Sequence, residues 1–259
     1  MYEFGRQQNT QRKDMKLFGS ILKDVKNGKF LPMDINCEKN FAEKDTKAFY
    51  KKNLEIMPAD WEYRNKNVTY TINKDYYRTS NFKTIDWANS IVIFGCSYVF
   101  GVGIDDNDTI TEQLSKLTNR PVINMGSPGS SITYNFHNNL ILKNHYPTPY
   151  AVVNVWTNYY RDIIYYKKSV NNIGSWSKNI EYAKILFSEE DHIKTEGYFN
   201  ILATKTIWSN TKYVDFTYFP ESAKVYGLNL IHITDKARDL QHPGSQSLKA
   251  GAEYIMNKL

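Results

Sequence analysis

The stretch Ile91-Val-Ile-Phe-Gly-Cys-Ser-Tyr-Val-Phe-Gly101 decides the fold. Its apolar run, Ile91 to Phe94, stops at Gly95, Cys96 and Ser97, and Gly101 follows four residues after the serine. A continuous β-branched and aromatic run bounded by glycine reads as a strand buried on both faces. The turn behind it presents Ser97 at the strand's carboxyl end, which is where open α/β sheets bind their ligands. A serine so placed becomes a nucleophile only if the chain also supplies a base, a group that orients the base, and donors for an oxyanion.

Working outward, the same pattern repeats. Asp108 to Leu117 reads as a short amphipathic helix with Asp108 or Thr109 as its N-cap. Pro121-Val-Ile-Asn-Met-Gly126 reads as a second strand, Ser127-Pro-Gly-Ser-Ser131 as a loop and cap, and the following residues as a helix to about Asn144. Tyr150-Ala-Val-Val-Asn-Val-Trp156 is a third buried strand ending at Thr157-Asn158. Strands and helices alternating at this spacing imply a parallel sheet with right-handed crossovers. Residues 159–220 are tyrosine-rich and less regular: a loop is expected through Gly174, then a long helix from Glu189 to about Asn210, with Asp215 to Pro220 either a short strand or an insertion. Gly227 to Thr234 reads as the last strand and Gln246 to Leu259 as a closing helix.

Ahead of this domain, residues 1–87 form an extension, and residues 88–259 the main unit. Met15, Leu17, Phe18, Ile21, Leu22 and Val25 recur at helical spacing before Gly28, and Phe41 to Ile56 gives a second, weaker helical pattern ending before Pro58. Residues 61–87 alternate aromatic or β-branched with polar residues around the turn-forming Asn65-Lys-Asn67 and Asn73-Lys-Asp75, the pattern of a β-hairpin or meander. The extension carries no catalytic pattern and reads as a docking element, for the main domain, a partner or a second copy.

Composition narrows the class. With 41% hydrophobic and 23% charged residues in 259, the chain is that of a globular protein. The net charge of +6 comes from lysines scattered among acids, a solvated surface rather than a nucleic-acid footprint. Cys37 and Cys96 lie too far apart for metal-ligand spacing and read as reduced thiols. No segment reads as a signal peptide or a membrane span, so the expected location is the cytoplasm or a larger particle, with no membrane partner.

The strand ends carry the chemistry. In a parallel sheet Ser97, Gly126 and Asn158 fall along one edge, where the Ser97 N–H, the Gly126 N–H and the Asn158 side-chain amide could face one oxyanion. Of the five histidines, His137, His145, His192 and His232 fall within or beside predicted helices and strands and read as structural or solvated, whereas His242 follows a strand end by a loop with Asp239 three residues before it. That spacing lets a carboxylate hold the imidazole tautomer while the other ring nitrogen takes a proton. Tyr98, Trp156, Tyr159 and Arg161 are the candidates for substrate contact, and the tyrosine-rich stretches would suit a sugar better than a lipid.

Together, Gly95-Cys-Ser97-Tyr-Val-Phe-Gly101, Asn124-Met-Gly126-Ser-Pro-Gly129, Trp156-Thr-Asn158 and Asp239-Leu-Gln-His242-Pro resemble, in order, the four blocks of the SGNH (GDSL-like) hydrolase superfamily. The resemblance covers roughly residues 89–259. It implies a flavodoxin-like α/β/α sandwich and hydrolysis of an ester without metal or cofactor, on a small-molecule or glycan ester such as an O-acetyl sugar. By position it implies Ser97 as nucleophile, Asp239 and His242 as the rest of a triad, and Ser97, Gly126 and Asn158 as the oxyanion hole. Two departures stand out: Cys96 replaces the acidic residue before the nucleophile, and Trp156 and Tyr159 flank Thr157-Asn158 where the family has glycine and aspartate. Alternation along a strand would point Cys96 away from Ser97. A non-catalytic binding or structural module on the same fold is the competing reading.

Overall fold

The computed structural model describes residues 21–33, 37–42, 44–166, 169–177 and 181–259. Its strands are β1 (Ile91–Gly95), β2 (Val122–Gly126), β3 (Ala151–Trp156), β4 (Arg161–Tyr166), β5 (Ser169–Gly174) and β6 (Lys212–Thr217). Its helices are α1 (Lys47–Ile56), α2 (Ser97–Phe100), α3 (Ile110–Thr118), α4 (Ile132–His145), α5 (Glu181–Ser188), α6 (Glu190–Ile207), α7 (Pro220–Tyr226) and α8 (Ser245–Met256). The central sheet is parallel, in the order β2-β1-β3-β6, and helices cover both faces: the fold is a flavodoxin-like three-layer α/β/α sandwich.

Side-chain alternation builds the layers. Ile91 and Ile93 of β1 join Val153 and Val155 of β3, Ile110 and Leu114 of α3, and Leu248, Ala252 and Ile255 of α8 on one face. Val92 and Phe94 join Val152 and, from α4, Tyr134, Ile141 and Leu142 on the other. Each valine, leucine, isoleucine or phenylalanine among them stabilises the fold by roughly 1.5–3 kcal/mol relative to exposure. Asn154 also points to the second face, where its amide oxygen accepts from Asn139 Nδ2 at 2.8 Å while Asn139 Oδ1 accepts from Trp208 Nε1 at 2.8 Å, so this buried polar group is satisfied. Hydroxyl caps start the crossover helices: Thr109 accepts from the Glu112 N–H at 3.3 Å, and Ser131 from the Tyr134 N–H at 3.0 Å.

Three expected elements differ. Residues 61–87 form no strands; short 3₁₀ turns and extended coil replace the expected hairpin. Side chains have captured the backbone donors that a ladder would need: Asp105 Oδ2 accepts from the Thr69 N–H at 3.0 Å, Asp106 Oδ1 from Thr71 at 3.2 Å, and Asn73 Oδ1 from Tyr77 at 3.0 Å. The alternating aromatics instead pack inward, with Trp61, Tyr63, Tyr70 and Tyr77 buried in the same cluster as Val92 and Phe94. Residues 227–234 are not a strand either. A single parallel bridge joins Leu230 to Thr217, because β6 ends there and the chain turns into α7 at Pro220. Conversely, the expected loop through Gly174 is an antiparallel hairpin, β4 paired with β5. The N-terminal helix expected from Met15 lies largely outside the described residues, although residues 21–26 are helical.

Candidate active site

The parallel register sets Gly95 of β1 opposite Gly126 of β2 and Phe94 opposite Asn154 of β3, so Ser97, Gly126 and Asn158 all fall at the carboxyl edge of the sheet. Gly95 is tightly packed: a Cβ there would lie 2.4 Å from Val99 Cγ2 and 3.1 Å from the Val155 carbonyl oxygen. The chain leaves β1 there, Cys96 takes the N-cap position, and Ser97 opens α2. Since Cys96 and Ser97 lie beyond the strand, alternation does not govern them: Cys96 Sγ sits 4.0 Å from Ser97 Oγ rather than on the opposite side. Cys96 is buried, and Ser97 is 7% exposed.

Behind this turn stands Arg78, buried, with every guanidinium nitrogen occupied. Nε reaches Asp106 at 2.7 Å, Nη1 the carbonyls of Phe100 and Gly101 at 3.0 and 2.7 Å, and Nη2 those of Thr69 and Ile104 at 2.6 and 2.7 Å. It thereby holds the C-terminal end of the helix that Ser97 begins, and Gly101 terminates that helix at φ 83°.

The opposing loop, residues 236–243, is wound around Asp239. Its Oδ1 accepts the N–H groups of Gln241 at 3.1 Å and His242 at 3.0 Å, and its Oδ2 is hydrogen-bonded to His242 Nδ1. Leu240 adopts φ 61° to close the turn, an uncommon conformation for a branched residue. Burial raises the Asp239 pKa, but the hydrogen bond and charge of His242 and the two backbone donors outweigh it, so the carboxyl lies below its ordinary range. Arg238 anchors this loop from behind through a two-point ion pair with Asp45, Nε to Oδ1 at 2.9 Å and Nη2 to Oδ2 at 2.7 Å, and Asn53 Nδ2 donates to the Arg238 carbonyl at 2.9 Å.

The two arms meet at Tyr98. Its ring lies edge-on to His242, with centroids 5.5 Å apart, and stacks on Phe219 at 4.8 Å. Burial, reinforced by Cys96, pushes the Tyr98 phenol up to about 12, so it stays protonated at neutral pH. No hydrogen bond joins His242 to Ser97 Oγ, whose neighbour is Cys96 Sγ, while His242 Nδ1 is engaged by Asp239. The remaining histidines lie elsewhere. His137 binds the Tyr165 hydroxyl at 2.7 Å with its pKa lowered by burial, His145 packs on Gly28, His192 pairs with Glu196 at 3.8 Å, and His232 is exposed.

A cavity of about 570 Å³ opens beside His242, lined among others by Tyr98, Gly129, Arg161, Asn172, Trp176 and Gln241. A second, of about 590 Å³, holds Asn158 and shares Arg161, Ser175 and Trp176 with the first. The open end of the β4–β5 hairpin, where Arg161 pairs with Gly174, therefore forms the partition between them, with the Trp176 ring against Gly174 and within 3.6 Å of the Cβ position at Gly129.

The expected site residues divide accordingly. His242, Tyr98 and Arg161 line the first cavity, Asp239 stands behind His242, Ser97 is buried and lines neither cavity, and Asn158 faces the second cavity with its Nδ2 unengaged among the described residues while its Oδ1 accepts from the Tyr160 N–H at 2.8 Å. Gly126 is a correction. Its N–H donates to Asn124 Oδ1 at 2.9 Å, and a Cβ there would lie 2.2 Å from the Phe100 nitrogen, so its backbone packs on α2 rather than facing a cavity. Gly129, three residues on at φ 74°, lines the His242 cavity, and neither its N–H nor that of Ser97 has an acceptor among the described residues. The positive φ was signalled by the Pro128-Gly129 pair. Trp156 and Tyr159 are the other corrections. Trp156 is fully buried and donates from Nε1 to Asp215 at 3.1 Å, and Tyr159 is buried with its hydroxyl on Glu190 at 2.9 Å, so both tie β3 and its following turn to the fold.

Comparison with known proteins places this arrangement among solved structures only. No family model matches the sequence, and no curated protein does. The chain is similar to a protein of the G-D-S-L lipolytic family from Desulfitobacterium hafniense DCB-2 (12% identity, TM-score 0.41, 66% of this chain and 99% of that one). It is likewise similar to a member of the lipolytic G-D-S-L family from Veillonella parvula DSM 2008 (12% identity, TM-score 0.40, 65% and 96%) and to AlinE4, an SGNH-hydrolase family esterase (13% identity, TM-score 0.36, 67% and 96%). At these values the likeness assigns no residue and no activity to the chain.

Proposed function

We propose that the protein is a serine ester hydrolase. The observation that carries this reading is the Asp239–His242 pair, oriented through Nδ1, with His242 lining a cavity beside Tyr98, the residue that follows Ser97 at the carboxyl edge of the sheet. With Nδ1 committed to the carboxylate, the free Nε2 accepts a proton. Ser97 Oγ attacks the ester carbonyl as His242 takes that proton. The oxyanion is held by the N–H groups of Ser97 and Gly129 and by Asn158 Nδ2, each lacking a partner among the described residues. His242 then protonates the departing alcohol, and water, deprotonated by the same imidazole, releases the acid and restores Ser97. Losing one such donor costs on the order of 10²–10³ in turnover. An O-acetylated sugar is the substrate that the polar lining of the cavity (Asn171, Asn172, Ser175, Gln241) favours over a lipid.

A fluorophosphonate probe tests the assignment. Stoichiometric mass addition mapped to Ser97, and absent in His242→Ala, is the expected result; modification elsewhere, or none, overturns it.

A further inference from the structure

Arg161 is half-buried and differs from the buried Arg78 and Arg238 in carrying a buried nitrogen without a hydrogen-bond partner among the described residues. It opens β4 and lines both cavities. Its guanidinium carbon lies 5.4 Å from the Trp176 ring centroid and 5.5 Å from that of Phe219. Contacts with two aromatic rings hold a guanidinium in place without consuming its N–H groups. Nη1 is buried and has no hydrogen-bond partner among the described residues. A buried charged donor left unmade costs more than a neutral one, and a ligand that supplies the acceptor recovers that cost.

The surroundings have one sign. The His242 cavity is lined by Lys44 and Arg161 and its neighbour by Arg161 and Lys184, and among the described residues no carboxylate lines either. Asp239 lies behind the imidazole, its own side chain inaccessible. Low-dielectric walls lined by one charge concentrate an oppositely charged ligand. Asn172 Oδ1, in the same cavity, is a buried acceptor without a partner and suits a ligand hydroxyl.

We infer that the substrate carries an anionic oxygen group, a carboxylate or a phosphate, which docks on Arg161 at the partition between the two cavities while its hydroxyls meet Asn172. As an account of the substrate this rests on the ester-hydrolase reading, but the anion site itself does not.

Calorimetric titration of the Ser97→Ala protein with D-glucuronate, D-glucose 6-phosphate and D-glucose separates the two. At low salt at least one of the acids is expected to bind about ten- to a hundred-fold more tightly than glucose. Which acid binds identifies the group. Arg161→Met, with its thermal unfolding checked against the parent, should abolish the preference. Equal binding of all three sugars, no binding of either acid, or a preference that survives Arg161→Met overturns the inference. Arg161-dependent binding of an acid in a protein whose Ser97 neither labels nor hydrolyses esters would leave the anion site standing and remove the hydrolase.

Discussion

Two additions to the parallel sheet embrace the site, and they use arginine in opposite ways. The N-terminal segment sends Arg78 and Asp45 behind the machinery, one gripping the end of the helix that Ser97 opens, the other gripping Arg238 of the loop that carries Asp239. Their charged donors meet carboxylates and carbonyls at hydrogen-bond distance. The β4–β5 hairpin sends Arg161 to the front, stacked between rings with an N–H left open. A fully partnered buried cation holds a structure together, whereas an unpartnered one beside a cavity waits for a ligand.

That contrast breaks in a definite order. The largest effect belongs to the loop that the first region holds: Asp239→Asn should lower kcat by on the order of 10³–10⁴ while leaving the protein folded. The same variant carries a pH signature. Because the folded pKa of Asp239 lies below its unfolded value, near 3.9, the carboxylate stabilises the fold fully above that unfolded value. The contribution is lost as pH falls through the folded pKa, so the stability gap between wild type and Asp239→Asn should be widest near neutrality and close in acid. A gap that widens in acid would contradict this pairing. Next comes Arg78→Met, which strands the Asp106 carboxylate and the carbonyls around the end of α2. It should cost about 3–5 kcal/mol, lowering Tm by on the order of 10 °C in a thermal melt. The smallest effect is Arg161→Met, whose stability should stay within about 1 kcal/mol of wild type, since its buried Nη1 has no hydrogen-bond partner to lose among the described residues and the methionine keeps apolar contact with the rings. Equal destabilisation by the Arg78 and Arg161 variants would erase the distinction between the two regions.

The sheet was legible because β1 is an uninterrupted apolar run ended by Gly95 and β3 one broken only by Asn154 before Thr157, and such runs admit few alternatives. The Asp239–His242 pair was legible because its contact is local, three residues apart. Tertiary capture defeated the rest. The 61–87 aromatics alternate as a strand would, yet Asp105 and Asp106, more than thirty residues away, take the backbone donors. Gly126 sits at the strand end where a donor belongs, but Asn124 two residues earlier folds back onto its N–H and leaves Gly129 to face the cavity. Trp156 and Tyr159 flank the right turn, and only the partners Asp215 and Glu190, distant in sequence, show that both point into the fold. Cys96 stands beside Ser97 because the strand ends one residue earlier than alternation assumes.

The central claim is that Ser97 is a nucleophile served by His242. Hydrolysis of a short-chain aryl acetate by wild type and Ser97→Ala tests it most directly. Turnover above the buffer rate in wild type, reduced at least about 10³-fold in Ser97→Ala, is the predicted result. Equal rates for the two proteins would contradict it.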